Sequence, residues 1–274
     1  MKKTIEDYKN SLIEEQLSER TIKKYLRESK DLDDYLKDKE LTKKNLISYL
    51  DLLKDKKLSN NTLNNKIICI NKYIKFKADD INNNKGLALK NIKTQGRELP
   101  EAISQVDFNR ILRQARQKGN DRDILMLQVF LYTGLRVSEL KYFTVESLKH
   151  KYMEVENKGK FRKVPLIPQI VKLGKEYAKK NNISKGSIIL SNQGNPLGRT
   201  TIFKRLKYLG GQARVKKNKV YPHSIRHLFA KNYLDNGGDV VRLADILGHS
   251  SLETTRIYTK LGTNELRDTI KYLG

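Results

Sequence analysis

Apolar residues recur at helical spacing through the first eighty positions, and no stretch there alternates as a strand would. Ile5, Tyr8 and Leu12 give a first helix one apolar face, and Thr4 with Asp7 has the pattern of a capping box at its start. A second helix should begin near Ser18 and carry Ile22, Tyr25, Leu26, Leu32, Tyr35 and Leu36. Thr42 caps a third, rich in leucine from Leu46 to Leu53, and Leu63, Ile67, Ile70 and Ile74 stripe a fourth that starts at Asn60. These predict a small helical bundle. Periodicity then fails, and Asn82-Asn83-Asn84-Lys85-Gly86 followed by Thr94-Gln95-Gly96-Arg97 reads as a flexible basic linker. The expected organisation is a helical domain at 1–80, a linker at 81–100 and a second domain at 101–274.

Ser104 and Asp107 open a new helix by the capping-box pattern, and the apolar run from Ile124 to Leu131 predicts one that is largely buried. Only one clear strand signal follows. Tyr152 to Glu156 alternates, Asn157 to Lys160 turns, and Phe161 to Ile167 runs back, as an antiparallel hairpin would. The rest reads as helix, with breaks at Gly194-Asn195-Pro196, Gly210-Gly211 and Gly237-Gly238. The fold class is therefore mainly α, a helical domain followed by a mostly helical one that carries a small β-hairpin.

Charge narrows the function. Fifty-six Lys and Arg against 31 Asp and Glu leave a net +25, spread along the whole chain, which points to a polyanionic partner. No apolar run of about 18 residues, signal peptide or lipidation motif is present, so nucleic acid is favoured over a membrane and a cytoplasmic location is expected. Lys23, Lys24, Lys43, Lys44, Lys66 and Lys72 suit phosphate contacts and equally suit a solvated surface. The single cysteine, Cys69, excludes an internal disulfide and a cysteine-based zinc site, and is expected to be buried.

The chemistry lies in two segments, Thr133-Gly134-Leu135-Arg136-Val137-Ser138-Glu139-Leu140 and His223-Ser224-Ile225-Arg226-His227, each with an arginine placed at a helix start. A planar guanidinium donates two parallel hydrogen bonds, and two such groups can clamp both non-bridging oxygens of one phosphodiester. Fixed cationic donors stabilise the extra charge of the pentacoordinate phosphorane without reorganising. Taken singly, Arg136 and Glu139 would read as an ion pair along one helix, and Tyr258 as a core aromatic.

Together and in order, the motifs resemble the tyrosine recombinase (phage integrase) family. The chain has T-G-L-R-V-S-E-L with Arg136, N-K-G-K-F-R-K-V-P-L with Lys158, H-S-I-R-H with His223 and Arg226, L-G-H-S with His249, and then Tyr258. The helical first domain is similar to the family's core-binding domain. The resemblance implies that Arg136 and Arg226 hold the scissile phosphate while Tyr258 attacks it, leaving a 3′-phosphotyrosyl link and a free 5′-hydroxyl. Lys158 would protonate the departing 5′-oxygen, His223 would assist proton transfer at Tyr258, and His249 would hydrogen-bond the phosphate. Glu139 would orient an arginine or a histidine, and His227 would pack beside Arg226. Phenol leaves more readily than an alkyl alcohol, so the link keeps the bond energy and no metal or nucleotide cofactor is implied. Lys160 rivals Lys158, because the family's G-K-G-x-K-x-R-x-V-P pattern is one residue shorter here, with Asn157 in place of its first glycine.

The implied partner is double-stranded DNA with short inverted core sites, bound by a homo-oligomer that forms a tetramer on two sites. Core-binding helices that begin almost at Met1 leave no room for an arm-binding module. That suggests a simple Xer-like or transposon-resolvase-like recombinase, or else a minimal mobile-element integrase. A type IB topoisomerase and a DNA-binding regulator with an idle site are the rivals. The short tail with its Leu266, Ile270 and Leu273 stripe, suited to docking on a neighbouring subunit, counts against the first. The filled set of site residues counts against the second.

Overall fold

A computed structural model describes residues 4–37, 39–78, 86–93, 101–157, 159–249, 252–256 and 258. Lys158 and the tail residues Leu266, Ile270 and Leu273 lie outside the described residues. The chain divides into two compact units, Met1–Glu98 and Leu99–Gly274.

The first unit contains helices α1 (Ile5–Glu14), α2 (Glu19–Leu36), α3 (Lys43–Asp55) and α4 (Asn60–Ala78). Side chains of Thr4, Ser18 and Thr42 accept a backbone N–H in the first turns of α1, α2 and α3, and Thr4 with Asp7 forms the reciprocal capping box. Tyr8, Leu12, Leu32, Leu46, Leu53, Leu63, Ile67 and Ile70 close the core between them, and Cys69 is buried on α4. Residues 86–93, within the stretch that reads as linker, lie along this bundle. The Asn71 amide donates to the Leu89 carbonyl and accepts its N–H, and Asn64 does the same for Ile92. Leu89 is buried in the core with Leu87 and Ile92 packed against it, so the segment is held by these side chains together with the two amides.

The second unit runs α5 (Gln105–Gln117), α6 (Asp121–Thr133), a 3-10 helix (Val137–Tyr142), α7 (Val145–His150), β1 (Tyr152–Asn157), β2 (Lys160–Pro165), α8 (Pro168–Lys180), α9 (Arg199–Gln212), α10 (Pro222–Asp235), α11 (Val240–Leu247) and α12 (Leu252–Arg256). Helix α6 is central, buried from Leu125 to Leu131 and packed against α5, α8 and α10. The hairpin pairs Tyr152 with Pro165 through Asn157 with Lys160, antiparallel, and packs on α7, the 3-10 helix and α11. Two details differ from the sequence expectation. Gly210-Gly211 does not break the chain but sits inside α9, where a Cβ on Gly210 would meet Val220 at 2.7 Å, so the residue serves close packing. Arg136 does not start an α-helix either: it caps the 3-10 turn, which Glu139 closes by accepting the Arg136 backbone N–H. Among the described residues no helix is long and apolar enough to cross a membrane.

Candidate active site

The site of the second unit is organised around the carboxyl-terminal end of α11. Helix α11 ends at Gly248 and α6 at Gly134, both in the left-handed conformation, with φ of +64° and +60°. A left-handed glycine stops a helix and leaves its last carbonyls without intrahelical donors. Arginines take those carbonyls here. Arg162 Nε donates to Ile246 O at 2.8 Å, Arg226 Nη2 to Leu247 O at 2.7 Å, and Arg136 Nη2 to Gly248 O at 3.1 Å. Arg226 Nη1 also reaches Gly134 O at 2.8 Å. The glycines are sterically required as well, since a Cβ on Gly134 would lie 2.4 Å from the Phe229 ring and one on Gly248 would lie 2.8 Å from Arg162 Cδ.

One carboxylate serves this group. Glu139, buried, accepts from Arg136 Nη1 at 2.9 Å and from Arg162 Nη1 and Nη2 at 3.1 and 2.8 Å. Burial would raise its pKa, but the Arg162 fork and the Arg136 backbone N–H outweigh that and hold it below the usual carboxylate value. Two guanidiniums therefore share a single carboxylate, while the third, Arg226, is held by carbonyls alone. Arg226 is 1% exposed, its Nε has no hydrogen-bond partner, and burial, then the charge of Arg136, pulls its pKa down to about 10.

His249, the residue after Gly248, places Nε2 at 3.0 Å from Arg226 Nη2 and Nδ1 at 2.8 Å from Thr255 Oγ1. A guanidinium only donates, so Nε2 accepts, and in the neutral ring Nδ1 carries the proton towards Thr255. Burial, then Arg226 and Arg136, lowers the His249 pKa to about 4, which keeps the ring neutral near pH 7. Tyr258 is half-buried against Ala230, Leu243 and Leu247, with its ring stacked 6.3 Å from that of His249. Burial raises its phenol pKa, opposed by Arg226 and Arg136, whose charges favour the phenolate.

Arg136, Arg226, His249 and Tyr258 thus come together as the sequence motifs suggested. His223 stands further out. It is exposed at its rim, and its ring meets His227 edge-on at 4.7 Å, while His227 in turn lies 5.2 Å from the Tyr258 ring. Desolvation, then His223 and Arg226, brings the His227 pKa down to about 4. His227, expected only to pack, is therefore the histidine between His223 and Tyr258. The other residue not singled out is Arg162. Its signal was the alternation of β2, which puts Arg162 on the same face as the buried Val164, and Lys160 shares that face. Among the described residues no group of His, Cys, Asp or Glu is placed to hold a metal ion.

A cationic, preorganised cluster beside a half-buried tyrosine has the charge and donors to receive a phosphate. The phage integrase family model matches residues 101–265, and the model of the family's N-terminal SAM-like domain matches residues 5–80. The chain belongs to the phage integrase family, the tyrosine-type site-specific recombinases. It is 29% identical to the tyrosine recombinase XerD of Oceanobacillus iheyensis over 285 aligned positions, which cover 96% of this chain and 95% of that one. With the XerD of Staphylococcus aureus it shares 34% identity over 156 positions, 53% and 52% of the two chains. Among solved structures, XerA recombinase aligns at 26% identity with a TM-score of 0.55, covering 98% of this chain and 96% of that one. A lambda integrase dimer bound to a core site aligns at 16% identity with a TM-score of 0.77, over 93% and 75% of the chains, and shows the shared fold.

Proposed function

We propose that the protein cuts and rejoins double-stranded DNA at specific sites, with Tyr258 as nucleophile and Arg136 and Arg226 as the clamp on the scissile phosphate. The observation that carries this is the charge imbalance at the end of α11, three guanidiniums gathered there with one carboxylate that pairs with only two of them, which a phosphodiester anion would complete. Tyr258 Oη attacks phosphorus, the bond to the 5′-oxygen breaks, and the phosphate stays on the enzyme as a 3′-phosphotyrosyl ester. The phenolic proton passes to the histidines beside the ring, with His223 assisting, and His249 hydrogen-bonds the phosphate in the state whose Nε2 carries a proton. The 5′-oxygen takes a proton from the hairpin. Lys158 is the preferred acid and Lys160 the rival, the latter on the face of Arg162. Attack by a 5′-hydroxyl reverses the sequence and releases Tyr258, so the chemistry asks for no metal or nucleotide.

The first 80 residues are proposed as the core-binding domain, 81–100 as the linker and 101–274 as the catalytic domain, acting in the cytoplasm on short inverted core sites as a tetramer on two DNA sites. Support for DNA as partner comes from the net charge of +25 and from fold relatives solved with DNA, XerH with its difH substrate and the Tn1549 transposon integrase with transposon end DNA. The Leu266, Ile270 and Leu273 stripe is proposed to dock on the neighbouring subunit. The test is Tyr258→Phe with a nicked substrate that traps covalent product. DNA binding should persist and the covalent complex should vanish, whereas trapped product in that variant would move the nucleophile to Tyr221 or Tyr233.

A further inference from the structure

We infer that Arg162 is a positioning residue, which ties the lysine-bearing hairpin to the end of α11 and to the Arg136–Glu139 pair, so that acid, clamp and nucleophile assemble as one unit. A two-stranded hairpin has little stability of its own and takes its position from what it packs against. At its base Met153, Val155 and Val164 are buried. Towards the turn that burial ends: Glu156 and Lys160 are exposed and Phe161 is 75% exposed. The Tyr142 hydroxyl meets Glu156 O only at 3.5 Å, a weak contact. Arg162, paired with Val155, is the inward-facing residue nearest the tip that has firm partners.

Those partners belong to the other parts of the site. Nε holds Ile246 O of α11 at 2.8 Å, and the fork of Nη1 and Nη2 holds both oxygens of Glu139, which in turn holds the side chain and backbone N–H of Arg136. The stem lies against Gly248, next to His249. Only a planar group with donors on three nitrogens satisfies a carboxylate and a carbonyl at once, so lysine cannot replace it in full. The side chain is 11% exposed, and an ion pair buried to this degree contributes little net stability compared with an apolar replacement of similar shape. Its contribution is then to fix the hairpin in register with the end of α11.

This coupling rests on the reading that a hairpin lysine is the general acid, and the test separates the two. A 5′-bridging sulfur gives a thiolate that departs without protonation, so it bypasses a misplaced acid but not a misplaced clamp. Arg162→Met keeps the stem and removes the fork. With ordinary DNA it should cleave about 100-fold more slowly, the scale of an angstrom of misplacement, while binding changes little. With sulfur-bridged DNA most of that loss should disappear, a recovery that general weakening of the fold would not give. Arg162→Lys should fall between the parent and Arg162→Met on ordinary DNA. Lys158→Ala and Lys160→Ala are measured beside them. If one lysine variant is rescued by sulfur and Arg162→Met is not, the coupling is overturned and the acid stands. Rescue of neither lysine variant removes the acid from the hairpin, and the coupling goes with it. Should Arg162→Met fail to fold, Arg162→Lys decides, because parental cleavage rates by that variant would show that the fork is not needed.

Discussion

Replacing Arg226 by glutamine should separate catalysis from stability, because burial sets two contributions of similar size against each other. The guanidinium is 1% exposed, and its pKa stands at about 10 instead of 12.5. At about 1.36 kcal/mol per pKa unit, that is on the order of 3 kcal/mol against the charged form in the DNA-free protein. Opposing it are two charge-assisted bonds, to Gly134 O and Leu247 O, of roughly 1.5 to 3 kcal/mol each. Glutamine removes the buried charge, but its amide ends about where Arg226 Nε stands, short of the Nη1 and Nη2 positions that hold the two carbonyls, so both bonds are given up. The gain offsets half or more of the loss, so the variant should unfold within about 3 kcal/mol of the parent. Cleavage should respond quite differently. A donor fixed on the phosphorane is lost, a deficit of about 3 kcal/mol or more and hence over about a hundredfold in rate. Calorimetry on the free protein gives the first quantity and single-turnover cleavage of a nicked substrate the second. A loss of more than about 4 kcal/mol in stability would make Arg226 a scaffold residue, and cleavage within threefold of the parent would take it out of the clamp.

Other consequences can be measured separately. His227 and His249 have pKa values near 4 in the folded chain against 6.5 for a free imidazole, so the unfolded state binds more protons between those values. Stability should be complete above about pH 6.5 and decline as pH falls towards 4, by on the order of 3 kcal/mol for each ring; His227→Asn should flatten the curve of urea midpoint against pH, and an unchanged slope would refute the assignment. Gly134→Ala forces a Cβ to 2.4 Å from the Phe229 ring at a φ of +60°, so a loss of about 2 to 4 kcal/mol is expected by urea unfolding, with cleavage reduced because the carbonyl that holds Arg226 moves. Parental stability in that variant would mean that Phe229 gives way freely. Deleting the tail after Gly262 should leave binding to one half-site and impair assembly and recombination, which gel-shift and strand-exchange assays read; unchanged exchange would remove the proposed subunit contact.

The helices of both units were legible because burial and periodicity coincide in them. Leu63, Ile67 and Ile70 fall on one stripe and are all buried, and the boxes Thr4–Asp7 and Ser104–Asp107 stand where the pattern put them. The hairpin followed from alternation. What could not be read depends on partners distant in sequence. Residues 86–93 are held by the amides of Asn64 and Asn71 and by Leu87, Leu89 and Ile92 against the bundle, too short an apolar run to show a period. Gly210 resembles a break until Val220 is seen against it. The Arg136–Glu139 pair was visible at three-residue spacing, but the second half of that bridge, Arg162, lies 23 residues further on. His223 was assigned from the motif, and only the fold shows the His227 and His249 rings beside Tyr258.

The means by which the arginines are held explains why the site can stay strongly positive. Carboxylates would fix three guanidiniums well, but each would cancel the charge that a phosphate must meet. Carbonyl oxygens fix them by hydrogen bonding and leave the charge in place. The end of a helix supplies several such carbonyls pointing one way, at the negative end of its dipole, and a left-handed glycine exposes them. Ile246, Leu247 and Gly248 on α11, with Gly134 on α6, supply four such contacts. Glu139 supplies the one charged partner, shared between the two arginines that are not fully buried. Arg226, the most buried, has none, and burial, then the charge of Arg136, brings its pKa down. Burial first, and then neighbouring charge, keeps His249 and His227 neutral near pH 7, and the charges of Arg226 and Arg136 favour the Tyr258 phenolate against its burial. Clamp and nucleophile are thus tuned by one arrangement of cations on helix ends, and a carboxylate introduced beside Arg226 would weaken both functions together.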